Sequence, residues 1–334
     1  MAESKTHFDV DVNRLTEVCS SVSSTANDGK GIFYGGPDKW RKRYLPQWNL
    51  PKELEHEPER DETVKPSEAS NFLFCAVQFE RQNVSRYLMK QIHRIWNNPK
   101  ERWFFDPFEV AQRPLSETER IVVGELRYNI AGTNEKKPYL RFYENSQLLI
   151  SKYGGDPRNL VDKLSIDDAR KRLMKFQGIG TGIANLYIIY LLDRRIASPS
   201  DPENILFKID VHKGRIPINT GCVVMNNGRK DVHVNSLVSK FEQAYKTVCQ
   251  KEGFNPSEMD AALWVLGSEI CAKRSYRACW MNCPLIHNGL CLSNVPLQQN
   301  EGAGAGRYVL YDERGKRTET RRVEDQSNQK HFFL

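Results

Sequence analysis

At 334 residues the chain is long for one domain and ample for two, at about 150 residues per domain, and it can bury a core without disulfides. A hydrophobic share of 39%, a charged share of 27% and 10% aromatics are ordinary for a globular protein and exclude wholesale disorder. Its 49 Lys and Arg against 42 Asp and Glu leave a formal charge of +7, a mild bias toward polyanions and not a polybasic signature.

No run of about 18 apolar residues exists, so no membrane-spanning helix is expected. The N-terminal MAESKTHFDVDVNR has no apolar signal core. The expectation is a cytoplasmic, non-secreted protein with reduced cysteines, in which a tight cysteine group is a metal site sooner than a disulfide set.

Residues 1–34 carry one weak helical pattern, then Ser, Thr and Asn, and read as an N-terminal extension. The acid-rich ELEHEPERDETVKPSE at 53–68 reads as a solvated linker. From about 70 to 192 helical periodicity dominates. In SNFLFCAVQFERQNVSRYLMKQIHRIW, Phe72, Cys75, Ala76 and Phe79, then Tyr87, Leu88 and Ile92, form a buried helical face. LRFYENSQLLISKY at 140–153 is a second amphipathic helix, stopped by Gly154-Gly155 and Pro157. Ser165 with Asp168 is a capping-box variant opening a helix over 166–176. No strand-turn-strand series precedes residue 300, so the body is expected to be all-α. Past Cys291 the apolar pattern fades: GAGAG at 302–306 is a hinge, and RYVLYDERGKRTETRRV is a candidate β-hairpin around Arg314-Gly315 in a tail over 296–334.

Three local motifs carry chemistry. In ARKRLMKFQGIGTGIANLYIIYLL, Gly178 and Gly180 flank Ile179 between two helices, the second beginning near Gly182. Glycines let such a hairpin turn sharply and approach another backbone, and the amides opening the second helix suit an anion such as a DNA phosphate. An ordinary helical hairpin is the plain alternative. In FKIDVHKGRIPIN, Asp210 is either an N-cap or a catalytic carboxylate, and one residue can be both. Lys213 and Arg215 beyond it are candidate phosphate contacts or surface charge, and His212 is a packing or capping residue. Cys271, Cys279, Cys283 and Cys291 are spaced C-x7-C-x3-C-x7-C after the amphipathic DAALWVLGSEI. Four thiolates at loop spacing can hold a [4Fe–4S] cluster or a structural Zn2+. Cys19, Cys75, Cys222 and Cys249 read as packing residues.

Taken in order, FLFCAVQFERQNV, RFYENSQLLISKYGG with MKFQGIGTGIAN, FKIDVHKGR and DAALWVLGSEIC…C…CPL…C resemble the HhH-GPD superfamily of DNA glycosylases, in its endonuclease III-like iron–sulfur branch. The resemblance spans about residues 70–295. It implies two α-helical lobes: a helical barrel over 71–204 bearing the helix–hairpin–helix, and a cluster lobe made of 35–70 and 205–295. It implies Asp210 as the catalytic aspartate, Gln82 filling the gap left by a flipped base, the hairpin glycines Gly178, Gly180 and Gly182 on the DNA backbone, and the four cysteines on a [4Fe–4S] cluster. Double-stranded DNA is then the partner, with the protein acting as a monomer near the nucleoid.

The chain departs from that family in three places. Bifunctional members carry a lysine where this sequence has Gly182, and no lysine lies between Lys175 and Lys208, so the reading is monofunctional hydrolysis. Every gap in the cysteine spacing is longer than the family's, which keeps Zn2+ as the alternative. Val77 stands where adenine-mismatch members have a glutamate. Two other readings remain: a catalytically silent iron–sulfur DNA-binding protein with Asp210 only a cap, and a lyase using a displaced amine such as Lys208 or Lys213.

Overall fold

The computed structural model describes residues 8–55, 66–80, 85–128, 137–225, 231–273, 276–291, 294–296, 307–309 and 320–322. These residues are mostly helical, as the periodicity indicates. The chain divides into two compact units, Met1–Leu45 with Leu206–Leu334, and Pro46–Ile205.

The first unit opens with strand β1 (Phe8–Val10), helix α1 (Val12–Asn27) and helix α2 (Pro37–Tyr44). Asp11 caps α1, its carboxylate accepting from the Arg14 amide at 3.0 Å. Leu15, Val18, Cys19, Val22 and Ala26 recur at helical spacing and are all buried. The stretch expected to be an extension is therefore a core helix of this unit. Its weak sequence signal reflects a polar Ser- and Thr-rich outer face over a full apolar stripe.

The second unit holds α3 (Pro66–Gln78), α4 (Ser85–Trp96), α5 (Pro107–Gln112), α6 (Leu115–Glu119), α7 (Pro138–Tyr153), α8 (Ile166–Leu173) and α9 (Thr181–Asp193). The run from Ser70 to Trp96 is thus two helices and not one. Gly154, at φ +67°, ends α7 as its glycine pair indicates. Ser165 caps α8 by accepting from the Asp168 amide at 3.1 Å, but α8 stops at Leu173, short of Phe176. Helix α9 is apolar on every side, and Ala184, Tyr187, Ile188 and Leu191 are wholly buried in it. Phe74 of α3 meets Phe176 and Tyr187 edge-on, with centroids 5.2 Å apart in each case.

The boundary between units falls at Leu45/Pro46, earlier than the expected residue 70. Side chains explain the shift. Gln47 donates to the Asp193 carboxylate at the end of α9 at 3.0 Å, and Trp48 donates to the same oxygen. Glu53, expected in a solvated linker, accepts from Trp96 at 2.7 Å and Arg102 at 3.1 Å. Residues 56–65 of that acidic run lie outside the described residues.

The first unit resumes with α10 (Val211–Asn219), β2 (Val223–Met225), β3 (Asp231–His233), α11 (Val238–Glu252), α12 (Pro256–Glu269), α13 (Tyr276–Asn282) and α14 (Pro284–His287). It ends with β4 (Asn294–Pro296), β5 (Arg307–Val309) and β6 (Thr320–Arg322). Helix α1 packs on α11, α12 and α14, and α10 packs on α12. Strand β1 pairs antiparallel with β2, Phe8 opposite Met225 and Val10 opposite Val223.

Among the described residues the tail strands do not pair with each other as a hairpin over 307–323 would require, and the expected turn at Arg314-Gly315 lies outside the described residues. Strand β5 pairs with β3 and β6 with β4, each antiparallel. A two-residue hairpin turn of the favoured kind needs positive φ at both central positions, and Arg314 offers no such preference. The strands instead pair with segments remote in sequence. Among the described residues, no helix is long and apolar enough to cross a membrane.

Candidate functional site

Asp210 is the N-cap of α10. Its Oδ1 accepts from the amides of His212 at 2.9 Å and Lys213 at 3.0 Å. Both bonds use one oxygen, and Oδ2 has no hydrogen-bond partner among the described residues. Burial pushes the carboxyl up, but the charges of Lys213 and His212, the Lys213 amide and Lys208 outweigh it, so the group sits below its usual 3.8. Asp210 is an ionised carboxylate near neutrality.

The residues that follow face inward. Lys213 is 1% exposed, and its Nζ lies 2.5 Å from Asp260 Oδ1 on α12. Arg215 is 7% exposed and donates through Nη1 to the Gly267 carbonyl at 3.4 Å. The sequence marked both as candidate phosphate contacts, and their burial corrects that reading: neither cation is presented at a surface. His212 is half-buried, edge-on to Trp264 with centroids 6.1 Å apart. Desolvation lowers its pKa against the pull of Asp210, as befits a packing histidine.

Helix α12 then runs directly into the cysteine loop. Its C-cap is Ile270, and Cys271 opens a single 3-10 turn. Cys279 lies on α13, and Cys283 caps α14 after its amide bonds back to the Cys279 carbonyl at 2.8 Å. The Cys291 amide bonds the Leu285 carbonyl at 2.8 Å, folding the last cysteine back over α14. Among the described residues none of the four takes part in a disulfide. Burial pushes the Cys271 thiol up, and Cys283, Cys291 and Cys279 each add to the rise while Arg215 opposes it. The other three cysteines therefore lie within electrostatic reach of Cys271. Among the described residues no three His, Cys, Asp or Glu side chains are grouped tightly enough for one metal ion.

By residue type, though not by tight grouping, four cysteines are the donors a [4Fe–4S] cluster would use. A [4Fe–4S] centre takes four separate thiolates, and its positive irons would offset the mutual repulsion that now favours neutral thiols. Cys19, Cys222 and Cys249 form a different, buried group: burial pushes Cys222 up to about 11 and Cys249 to about 12, and both raise Cys19 further. These are inert packing thiols, as is Cys75.

In the second unit the hairpin runs from the end of α8 to the start of α9. Gly178 stands at φ +80°, and a side chain there would press on the Arg141 guanidinium, 3.3 Å away. Gly180, exposed, is the N-cap of α9, and no side chain caps that helix. Gly182 lies in its first turn, half-buried. The hairpin is held from below by Asn145, which sequence reasoning missed. Its amide accepts from the Gln177 amide at 2.8 Å and donates to the Gln177 carbonyl at 3.0 Å and to Gln78 at 2.8 Å. Asn145 is buried at the position of α7 where an apolar residue would be the usual choice, and that mismatch was its only signal. Gln82 lies outside the described residues, as do the neighbouring Arg81 and the Arg274 of the cysteine loop.

No protein-family model matches the chain, and no curated protein matches it.

Proposed function

We propose that the chain is a monofunctional DNA glycosylase of the two-lobed helix–hairpin–helix type, hydrolysing the N-glycosidic bond of a damaged or modified base. One observation carries this: an ionised Asp210 with one oxygen tied to the amides of α10 and the other left over for a reacting centre. Breaking an N-glycosidic bond develops positive charge on the sugar. A fixed carboxylate stabilises that charge or orients a water against it. The target bond is hidden in the base stack, so the nucleotide must be flipped out, and Gln82 is the residue assigned to fill the space.

Two further observations support hydrolysis over lyase chemistry. Gly182 brings no amine to the start of α9, and the Lys213 amine is occupied by Asp260. The uncapped N-terminus of α9 supplies amides for a DNA phosphate. Cys271, Cys279, Cys283 and Cys291 would hold a [4Fe–4S] cluster, with Zn2+ as the alternative. When bound, the metal would fix the shape of the loop, and Arg277, exposed within that loop, would lie toward the DNA backbone. The partner is double-stranded DNA, bound by a monomer in the nucleoid-bearing compartment.

The cap bonds of Asp210 favour one rival, a catalytically silent DNA-binding protein in which the aspartate only secures a helix. The deciding experiment incubates the protein with DNA carrying varied lesions and natural modifications and identifies freed bases by mass spectrometry. Asp210→Asn is the control, because Asn caps a helix as well as Asp and removes only the charge. Base release by the wild type alone supports the glycosylase. DNA binding without release from any substrate supports the silent module.

A further inference from the structure

Lys213 and Asp260 form an ion pair with side chains only 2% and 6% exposed. Lys213 is also tied at its main chain. Its amide donates to Asp210 Oδ1 at 3.0 Å, and its carbonyl accepts from the Tyr245 hydroxyl at 3.5 Å. One residue therefore joins the cap of α10 to α11 through Tyr245 and to α12 through Asp260. A buried ion pair is a poor stabiliser, since the cost of desolvating two ions often exceeds their attraction, and apolar residues of similar volume commonly do as well. Stability alone does not account for a charged pair in this place.

We infer that Lys213 and Asp260 are positioning residues for Asp210: the pair pins the first turn of α10 to α12 and sets a fixed cation behind the carboxylate. This rests on Asp210 being the carboxylate of the proposed glycosylase. The chemical consequence is a carboxylate that stays anionic in a half-buried site, with Oδ1 oriented and Oδ2 available. Without the cation, desolvation would favour the protonated acid, which cannot stabilise positive charge on a sugar.

The ionisable groups around Asp210 come from three elements. Lys208 and His212 flank it on its own segment, and Lys213 makes the largest favourable contribution to its anionic form. Asp260 faces Lys213 from α12, where burial raises its carboxyl and Lys213 opposes the rise. Tyr245 and Cys249 of α11 lie within electrostatic reach of Asp260, and burial keeps both neutral near pH 7.

The test titrates the carboxyl itself. The full chain is prepared with 13C at the Asp carboxyls, the Asp210 signal is assigned by its loss in Asp210→Asn, and its midpoint is followed by NMR. In Lys213→Met/Asp260→Leu, which replaces the pair with apolar volume, the Asp210 midpoint is expected to rise by about one pH unit, a tenfold gain in proton affinity. Asp260→Asn keeps the cation and is expected to hold the midpoint at or below the wild-type value. An unmoved midpoint in the folded double variant, or a rise in Asp260→Asn, overturns the inference. If the double variant does not fold, Asp260→Asn decides alone. The titration uses no DNA, so a failure to release any base would count against the glycosylase and would not be mistaken for a failure of the pair.

Discussion

Gly267 lies against the main chain of His212 so closely that a Cβ at Gly267 would overlap the His212 carbonyl. Helices α10 and α12 thus meet backbone to backbone just past Asp210, on the helix that runs into Cys271. Gly267→Ala is expected to destabilise the protein by about 1–3 kcal/mol, because neither main chain can yield without moving its helix. Gly124→Ala, where nothing lies within 4 Å, is the neutral control. Thermal unfolding of the two variants reads the difference, and equal melting temperatures would refute the close approach.

Asp210 gives a signed pH dependence. Its carboxyl sits below 3.8 in the folded chain, so the folded state binds fewer protons there than the unfolded state. The stability it adds is complete above the unfolded value and is lost as pH falls through the folded one. Asp210→Asn keeps the cap but lacks this component. Its deficit relative to wild type should be largest near neutrality and shrink as the solution is acidified through that range. Denaturant titrations across the acid range check this; a deficit that grows with acidity would mean the carboxyl is raised and not lowered.

Asn145 bears on the hairpin in the same concrete way. Asn145→Leu removes the bonds to the Gln177 amide, to its carbonyl and to the Gln78 Oε1. An expected loss of about 1 kcal/mol follows from removing these part-buried hydrogen bonds. The local signature is faster hydrogen exchange at the Gln177 amide, which Asn145 now protects. Unchanged exchange there would show that the loop holds its own shape.

What the sequence made legible was local. The Ser165 cap, the Gly154 stop and the apolar α9 each depend on residues within a turn or two, and all stand where the pattern put them. The burial of Lys213 was not legible, because it depends on Asp260, 47 positions later, arriving on a neighbouring helix. Taken alone, a lysine three residues into a helix reads as solvated. The pairing of the described tail strands was hidden for the same reason: β5 and β6 have the right composition, but their partners, β3 and β4, are chosen by tertiary structure. The domain boundary moved because Gln47, Trp48 and Glu53 bond to groups far along the chain.

The cysteine loop offers a test by composition. Protein purified without oxygen is expected to be brown, with iron and acid-labile sulfide, if Cys271, Cys279, Cys283 and Cys291 hold a [4Fe–4S] cluster. Cys283→Ser should lose the colour and loosen α13 and α14, whose junction it forms, whereas Cys75→Ser, at a packing thiol of the second unit, should keep it. A colourless protein containing zinc would replace the cluster with a structural ion, and metal-free protein of normal stability would remove the metal altogether.

The hairpin glycines separate folding from DNA contact. Gly178 needs its glycine for the fold: at φ +80°, with Arg141 close by, Gly178→Ala should cost about 1–2 kcal/mol from the left-handed backbone alone. Gly180 does not. Its φ of −88° and ψ of 178° are open to any residue, and no atom lies within 4 Å of a Cβ placed there. Gly180→Val should therefore fold, with a loss of at most about 1 kcal/mol because Val is a poorer N-cap than Gly. If the start of α9 receives a DNA phosphate, the added side chain would keep the phosphate from the amides. Affinity for an abasic-site duplex should then fall about tenfold or more, as loss of a charge-assisted contact of roughly 1.5–3 kcal/mol implies. A stable Gly180→Val that binds DNA as well as wild type would show that this hairpin is an ordinary helical turn and that DNA, if bound, is held elsewhere.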